Sequence, residues 1–179
     1  MVAYISTNTF KSQPNFNLLT YSKSFIMTKQ NTYQVNEISV SYKPIFLMDE
    51  QQRIVTSFDA YIALKPFYND DTIALQEQFI VLYLNRHNKI IGAYPMSKGG
   101  ISGTIADIRL ILSVALKSAA SSIILSHNHP SGNLQPSIQD KDLTKKIVQA
   151  AKFMDIGVLD HIILSGESGY FSFADEGIL

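Results

Sequence analysis

Short apolar runs alternate with helical patterns along the last two thirds of this 179-residue chain. The runs from Phe79 to Leu84 and from Ile123 to Leu125 are typical of buried strands. Around Ile111 and Ile147, apolar residues instead recur every three to four positions, as they do on one face of an amphipathic helix. Strands interleaved with helices in this order predict an α/β domain with a mixed sheet.

Turn and cap signals set the limits of the predicted elements. We predict a helix over residues 58–65 that Ser57 caps and Pro66 ends. A hairpin is predicted around the polar turn 85–88. The other predicted elements are a strand over residues 38–43, a helix capped by Asp107, a strand over 121–126, a helix ended by Gly157, and strands over 158–164 and 170–173.

The chain divides into a polar extension and one folded domain. Residues 1–36 are rich in Ser, Thr, Asn and Gln and show no sustained period, which predicts a poorly ordered extension or an added edge strand. Residues 37–179 carry the regular patterns, and their length suits a single domain.

Composition and charge exclude several classes of protein. Because the chain has no cysteine, it has no disulfide and no thiolate ligand, so any metal is held by nitrogen and oxygen. Fifteen basic residues balance fifteen acidic ones, so nucleic acid is not the expected partner. The apolar run 79–84 is far shorter than the roughly 20 residues that span a bilayer. The first residues lack the pattern of a secretory signal, and we expect a cytoplasmic protein.

The segment that follows the strand near Leu125 carries the chemistry. Residues two apart on a strand end point the same way, so His127 and His129 can share one ion. Pro130 ends the strand, and the loop after it can bring Asp140 back as a third ligand. Three protein ligands leave one position of a tetrahedral zinc open for water, as in catalytic sites.

Other residues in this region have more than one explanation. A hydrolytic site also needs a carboxylate base, and the residues alone leave Asp70, Asp71 and Glu77 open. Ser137 and Asp140 are spaced as in a capping box, a structural role compatible with a catalytic one. His161 lies in an apolar strand and is typical of a hydrogen-bonded core residue, so it is left out of the site.

Three further residues were weighed and not assigned to the site. Arg109 and Ser97 are compatible with a surface or packing role, or with a hydrogen bond that supports a metal ligand. His87 is expected to be exposed in the hairpin turn. The glycine-rich stretch 99–103 lacks the Gly-Lys-Ser/Thr ending of a phosphate loop, which excludes nucleotide binding of that kind.

At every position, Glu77, His127-x-His129, Ser137 and Asp140 resemble the JAMM signature of JAB/MPN metalloproteases. Between residues 37 and 179 the chain also resembles the bacterial RadC-like branch of that family. The segments that carry this second resemblance are Gln76-Glu77-Gln78-Phe79, Ser97-x-Gly99-Gly100, Gly103-Thr104, Asp107-x-Arg109, His127-Asn128-His129-Pro130-Ser131-Gly132, Pro136-Ser137-x-x-Asp140, Leu159-Asp160-His161-Ile162 and Tyr170-Phe171-Ser172-Phe173.

The resemblance implies a cytidine-deaminase-like JAB/MPN fold, a curved mixed sheet flanked by helices. It implies that His127, His129 and Asp140 bind Zn2+. It selects Glu77 as the general acid and base over the nearby aspartates, and it gives Ser137 a hydrogen bond to the developing oxyanion. The activity implied is hydrolysis of a peptide or isopeptide bond in a peptide or protein substrate.

A second hypothesis comes from another class of protein. RadC-like proteins are often linked to DNA repair, and longer ones carry an N-terminal helix-hairpin-helix region associated with DNA. This chain has only the polar segment 1–36 there. The alternative is a DNA-associated accessory or binding module whose metal site is structural or vestigial, and its binding would weaken steeply with salt.

Overall fold

The computed structural model describes residues 52–99, 105–166 and 169–179. The predicted extension 1–36, the predicted strand over 38–43, residues 100–104 of the glycine-rich stretch and residues 167–168 of the last turn lie outside this part. In chain order the helices and strands are α1 (Ser57–Leu64), β1 (Gln78–Leu84), β2 (Ile90–Lys98), α2 (Ile108–Lys117), β3 (Ser122–Asn128), α3 (Ile138–Lys152), β4 (Gly157–Leu164) and β5 (Tyr170–Ser172).

The five strands form one sheet in the order β2-β1-β3-β4-β5. Strand β1 pairs antiparallel with both β2 and β3, β3 pairs parallel with β4, and β4 pairs antiparallel with β5. A parallel pair needs a crossover connection, and α3 supplies it between β3 and β4. The α/β class and the mixed sheet are confirmed, and they agree with a JAB/MPN fold.

All residues of β1 and β3 are buried, because helices cover both faces of the sheet. Ile80 and Ile124 belong to the core on the side of α1. Val81 and Leu125 belong to the core on the side of α2 and α3. Neighbouring residues of a strand point to opposite faces, so a strand covered on both sides is apolar throughout. His127 lies two residues after Leu125 in the same strand, so its side chain points to the same face, toward α2 and α3.

The predicted hairpin is confirmed in β1 and β2. The side-chain oxygen of Asn85 accepts the backbone N–H groups of His87 and Lys89 at 2.8 and 3.1 Å. Asn88 closes the turn with a positive φ of 55°, a conformation that asparagine tolerates. Strand β2 reaches Lys98, which pairs with Gln78 at the start of β1.

Helix α1 is capped by Thr56, and the prediction of Ser57 is wrong. The Thr56 hydroxyl accepts the Asp59 N–H at 3.1 Å, and the Asp59 carboxylate accepts the Thr56 N–H at 2.8 Å. The carboxylate three residues after Thr56 completes a capping box and so decides where the helix starts. Ser57 is the first helical residue, and the helix ends at Leu64, before Pro66 as predicted.

Asp107 caps α2 as predicted, accepting the Arg109 N–H at 2.9 Å. The predicted end of α3 at Gly157 is wrong, because Gly157 is the first residue of β4. The chain leaves α3 through Asp155, which has a φ of 54°. The Asp155 N–H bonds to the Lys152 carbonyl, and the Ile156 N–H bonds to the Ala151 carbonyl. These two bonds form a Schellman motif in which aspartate takes the place usual for glycine.

The helices are short relative to a bilayer. The longest helix of the described residues, α3, has 15 residues, fewer than the roughly 20 needed to cross one. In the described part of the chain, no helix combines the length and the apolar character of a membrane span.

Candidate metal centre

The two histidines of the His-x-His segment converge at the end of β3. His127 lies within the strand and is 1% exposed. His129 lies just beyond it, and its N–H donates to the Leu164 carbonyl at the end of β4, at 2.8 Å. Because the two side chains leave the backbone on the same side, their Nε2 atoms come within 2.9 Å of each other.

The start of α3 brings a carboxylate to these histidines. Ser137 caps the helix, its hydroxyl accepting the Asp140 N–H at 3.1 Å. Asp140 Oδ2 in turn accepts the Ser137 N–H and the Ser137 hydroxyl, both at 2.7 Å. The capping-box explanation of this pair is thus confirmed. It holds the carboxylate with Oδ1 at 3.3 Å from His127 Nε2 and Oδ2 at 3.5 Å from His129 Nε2.

The spacing of the three donor groups fits a metal ion. Ligand atoms about 2.1 Å from a tetrahedral zinc lie about 3.4 Å apart. The separations between donor atoms here are 2.9, 3.3 and 3.5 Å, close to that value. Among the residues described, His127, His129 and Asp140 are the group of histidines and acids close enough to hold an ion together. Two nitrogens and one oxygen suit a divalent transition metal.

The electrostatics of the cluster favour a positive charge at its centre. Burial alone would raise the pKa of Asp140, but its contacts with the imidazoles of His127 and His129 outweigh burial and hold that pKa far below its usual range. The Asp140 carboxylate raises the pKa of His129. The Asn133 carbonyl and Glu77 add to this effect, and burial opposes it. A site that stabilises a protonated histidine also stabilises a metal cation.

Glu77 lies at the same corner of the sheet. It directly precedes β1, is half-buried, and its carbonyl accepts the Gly99 N–H at 2.8 Å. The register of β1 and β3 pairs Phe79, two residues after Glu77, with His127, two residues before His129. The carboxylate is also near enough to contribute to the raised pKa of His129. The structure therefore brings Glu77 to the donor cluster.

Asn128, between the two histidines, was not singled out in the sequence and is fully buried. Its side-chain oxygen accepts the Gln78 N–H at 2.7 Å. Its amide nitrogen donates to the carbonyls of Ile73 and Gln76, at 2.6 and 2.9 Å. These bonds lie on both sides of Glu77 and fix the backbone that carries it. The sequence could have indicated Asn128 through the alternation of side chains along a strand, which directs it to the face opposite the histidines.

His161 is a buried, hydrogen-bonded residue, as predicted, and it contacts a donor rather than joining the donor set. Its Nε2 lies 2.7 Å from Nδ1 of His127, and its Nδ1 lies 2.6 Å from the Thr144 hydroxyl. Burial, assisted by His127, lowers the pKa of His161 well below its usual value. Thr144 was missed in the sequence, although it lies one helical turn after Asp140.

This geometry was compared with known proteins. A model of the RadC-like JAB domain family matches residues 54–178. The chain belongs to this family. A UPF0758 protein of Flavobacterium johnsoniae is 46% identical over 127 residues, which cover 71% of this chain and 54% of the relative. A UPF0758 protein of Porphyromonas gingivalis is 45% identical over 132 residues, or 74% of this chain and 57% of the relative.

The relatives of this RadC-like domain include the UPF0758 protein YfjY of Escherichia coli K12, 43% identical over 104 residues. That match covers 58% of this chain and 64% of YfjY. The chain spans a little over half the length of the Flavobacterium and Porphyromonas relatives. None of these names states an activity.

Several residues lie apart from the donor cluster of the RadC-like domain. His87 is exposed in the hairpin turn, as predicted. The Arg109 side chain is 91% exposed and pairs with Asp107 at 2.8 Å, a surface role. Asp70 and Asp71 are exposed in the loop before Glu77.

A cleft of about 380 Å³ adjoins the segment that follows His129 in the RadC-like domain. Its lining combines polar and apolar residues: Asp70, Ile73, Ala74, Pro130, Ser131, Gly132 and Gly166.

Proposed function

We propose that this RadC-like domain is a zinc-dependent hydrolase that cleaves a peptide or isopeptide bond. The observation that carries the proposal is the separation of 2.9 to 3.5 Å between the donor atoms of His127, His129 and Asp140. Three protein donors of this kind are typical of catalytic rather than structural zinc sites. When bound, zinc would polarise a substrate carbonyl and lower the pKa of a water molecule to about 7.

Glu77 would act as the general acid and base. A carboxylate beside His129 can accept a proton from the attacking water and return it to the leaving nitrogen. The proposal is supported by the pairing of Phe79, which lies two residues from Glu77, with His127, and by the contribution of Glu77 to the pKa of His129. The bonds of Asn128 on either side of Glu77 would restrict its movement between the two proton transfers.

Ser137 would donate a hydrogen bond to the oxyanion that forms as the carbonyl is attacked. Its hydroxyl donates to Asp140 Oδ2, and so does its backbone N–H. The hydroxyl can therefore turn toward a substrate oxygen while the backbone bond still satisfies the carboxylate. Removal of a single oxyanion donor typically slows catalysis by roughly 10²- to 10³-fold.

Metal binding tests the site directly. Metal-free protein should take up about one zinc per chain, measured by elemental analysis and by competition with a chromophoric chelator. His127→Ala and His129→Ala should lose this zinc, whereas His87→Ala, an exposed histidine removed as a control, should retain it. Zinc held equally by all three variants would overturn the proposal.

Activity is tested on a library of fluorogenic peptides and of peptide pairs joined by an isopeptide bond. The zinc-loaded protein should cleave members of this library, and Glu77→Gln should retain zinc but lose cleavage. A Glu77→Gln variant with full cellular function, together with salt-sensitive binding of a DNA duplex, would instead favour the accessory-module hypothesis. The zero net charge of the chain gives no support to that outcome.

A further inference from the structure

A chain of hydrogen bonds links the side chain of His127 to the backbone of Asp140. His127 Nδ1 lies 2.7 Å from His161 Nε2, and His161 Nδ1 lies 2.6 Å from Thr144 Oγ1. Thr144 Oγ1 lies 2.6 Å from the carbonyl oxygen of Asp140. His161 is fully buried and Thr144 is 3% exposed, so these polar atoms depend on one another.

Two arrangements of hydrogens are possible when each of the two rings carries one hydrogen. In the first, the Thr144 hydroxyl donates to the Asp140 carbonyl, His161 Nδ1 donates to Thr144, and His127 Nδ1 donates to His161. In the second, the Thr144 hydroxyl donates to His161, both ring bonds reverse, and the hydrogen of His127 lies on Nε2. Only the first arrangement leaves a lone pair on His127 Nε2, and the hydrogen in its 2.9 Å contact with His129 Nε2 then belongs to His129.

The short contact between Thr144 and Asp140 decides between them. A carbonyl oxygen can only accept, and a distance of 2.6 Å between two oxygens is that of a hydrogen bond. In the second arrangement these oxygens would face each other with no hydrogen between them, which is repulsive. The first arrangement therefore gives a hydrogen to every contact along this chain of bonds.

We infer that His161 and Thr144 are positioning residues that hold His127 in the tautomer whose unprotonated Nε2 faces the other two donors. The inference rests on the proposed metal site and assigns residues that prepare it. Neutral imidazole must present a lone pair to a metal, and a hydrogen bond from its other nitrogen fixes both its tautomer and its orientation. The His127 ring then loses its rotational freedom when the protein folds, so metal binding does not have to order it.

The surroundings of His161 restrict it to this role. Its ring stacks on Phe173 at 4.7 Å and meets Phe79 edge-on at 5.7 Å, measured between ring centroids. Both of its nitrogens are already bonded, so it has no free nitrogen with which to join the donor set. The aromatic neighbours leave the ring little freedom to rotate.

Nuclear magnetic resonance tests the tautomer in the metal-free protein. Long-range correlations between ring nitrogens and carbon-bound hydrogens distinguish the two tautomers, and the four histidines of the chain can be assigned from single variants. His127 and His161 should both carry their hydrogen on Nδ1. Detection of the His127 hydrogen on Nε2 in the natural protein would overturn the inference.

Zinc affinity tests the consequence. Thr144→Val keeps the shape of the side chain but removes the hydroxyl, and it should weaken zinc binding on the order of tenfold in a chelator competition. Ser172→Ala is the matched control, because it removes a buried hydroxyl that donates to Asp160 at 2.7 Å and has no part in the chain of bonds. An affinity lowered equally by both variants would show a general structural effect and overturn the inference.

Rescue by a conservative side chain separates positioning from packing. His161→Leu should weaken zinc binding by roughly 10- to 100-fold, and His161→Gln, which keeps an acceptor for His127, should recover much of the loss. Thermal unfolding of the metal-free variants reports any loss of folding. If the natural protein bound no zinc, the proposed function would fall. If Thr144→Val bound zinc as tightly as the natural protein, this inference alone would fall.

Discussion

The side-chain oxygen of Asn128 accepts the backbone N–H of Gln78 at 2.7 Å, joining the end of β3 to the start of β1. Because the same amide also donates to the Gln76 carbonyl, it holds the peptide groups on both sides of Glu77. His127 and His129 point to one face of the sheet while the residue between them anchors the loop that brings Glu77 to the site. One short segment therefore carries two residues of the candidate metal centre and anchors the backbone around Glu77, the proposed base.

Replacement of Asn128 with alanine should lower the free energy of unfolding by on the order of 2–4 kcal/mol. The change removes three hydrogen bonds and leaves buried backbone groups of Ile73, Gln76 and Gln78 without partners. Denaturant unfolding of the metal-free protein measures it. Asn133→Ala, which removes an exposed amide, is the control and should change the value by less than about 0.5 kcal/mol. Equal stability of the two variants would contradict the role assigned to Asn128.

The two capping boxes allow the structural and catalytic roles of Ser137 to be separated. Ser137→Ala and Thr56→Ala each remove the N-cap of a helix, and each should cost about 1 kcal/mol of stability. Only Ser137→Ala should also lower turnover, by roughly 10²- to 10³-fold, because only Ser137 lies at the proposed oxyanion. Turnover is compared on any substrate found in the peptide library. Similar turnover in both variants would leave Ser137 with a capping role alone.

The packing of α3 against the sheet should determine the stability of the helix that carries Asp140. Ile147, a residue of α3, is fully buried in the core between this helix and the sheet. Ile147→Ala should lower the free energy of unfolding by about 2–5 kcal/mol through lost burial and the cavity left behind. Ile138, on the same helix, is 76% exposed, and Ile138→Ala should cost less than about 0.5 kcal/mol. Thermal or denaturant unfolding compares the two. A small effect at Ile147 would mean that α3 is held mainly by other contacts.

Asp59 should contribute to the dependence of stability on pH. Backbone hydrogen bonds from Thr56 and Val55 lower the pKa of its carboxyl in the folded protein. A lowered folded pKa contributes stability above the unfolded pKa of about 4, and this is lost as pH falls through the folded value. The natural protein should therefore have a higher free energy of unfolding than Asp59→Asn at pH 6, and this difference should disappear in acid. A gap that widened as the pH fell would contradict this assignment.

Local spacing in the sequence was enough to predict the α/β class, the hairpin and the group of His127, His129 and Asp140. A period of two along a strand and a capping pattern at a helix start act over a few residues, so they can be read without knowing the rest of the fold. The same short range explains the wrong predictions for the start of α1 and the end of α3. Thr56 and Ser57 are both good caps, and only the bond to Asp59 distinguishes them. Asp155 adopts a left-handed conformation because two bonds to α3 hold it there.

The tertiary structure decided which distant residues meet the donor cluster. Asp70, Asp71 and Glu77 are equivalent as carboxylates in the sequence, and the pairing of Phe79 with His127 is what places the start of β1, next to Glu77, beside the end of β3. The contact between His127 and His161 follows from the parallel pairing of β3 with β4, across 34 residues of sequence. Strand register is set by the packing of whole faces, which no local pattern encodes. The sequence by itself thus determined the donor residues, and the packing of the sheet determined the residues that hold them in place.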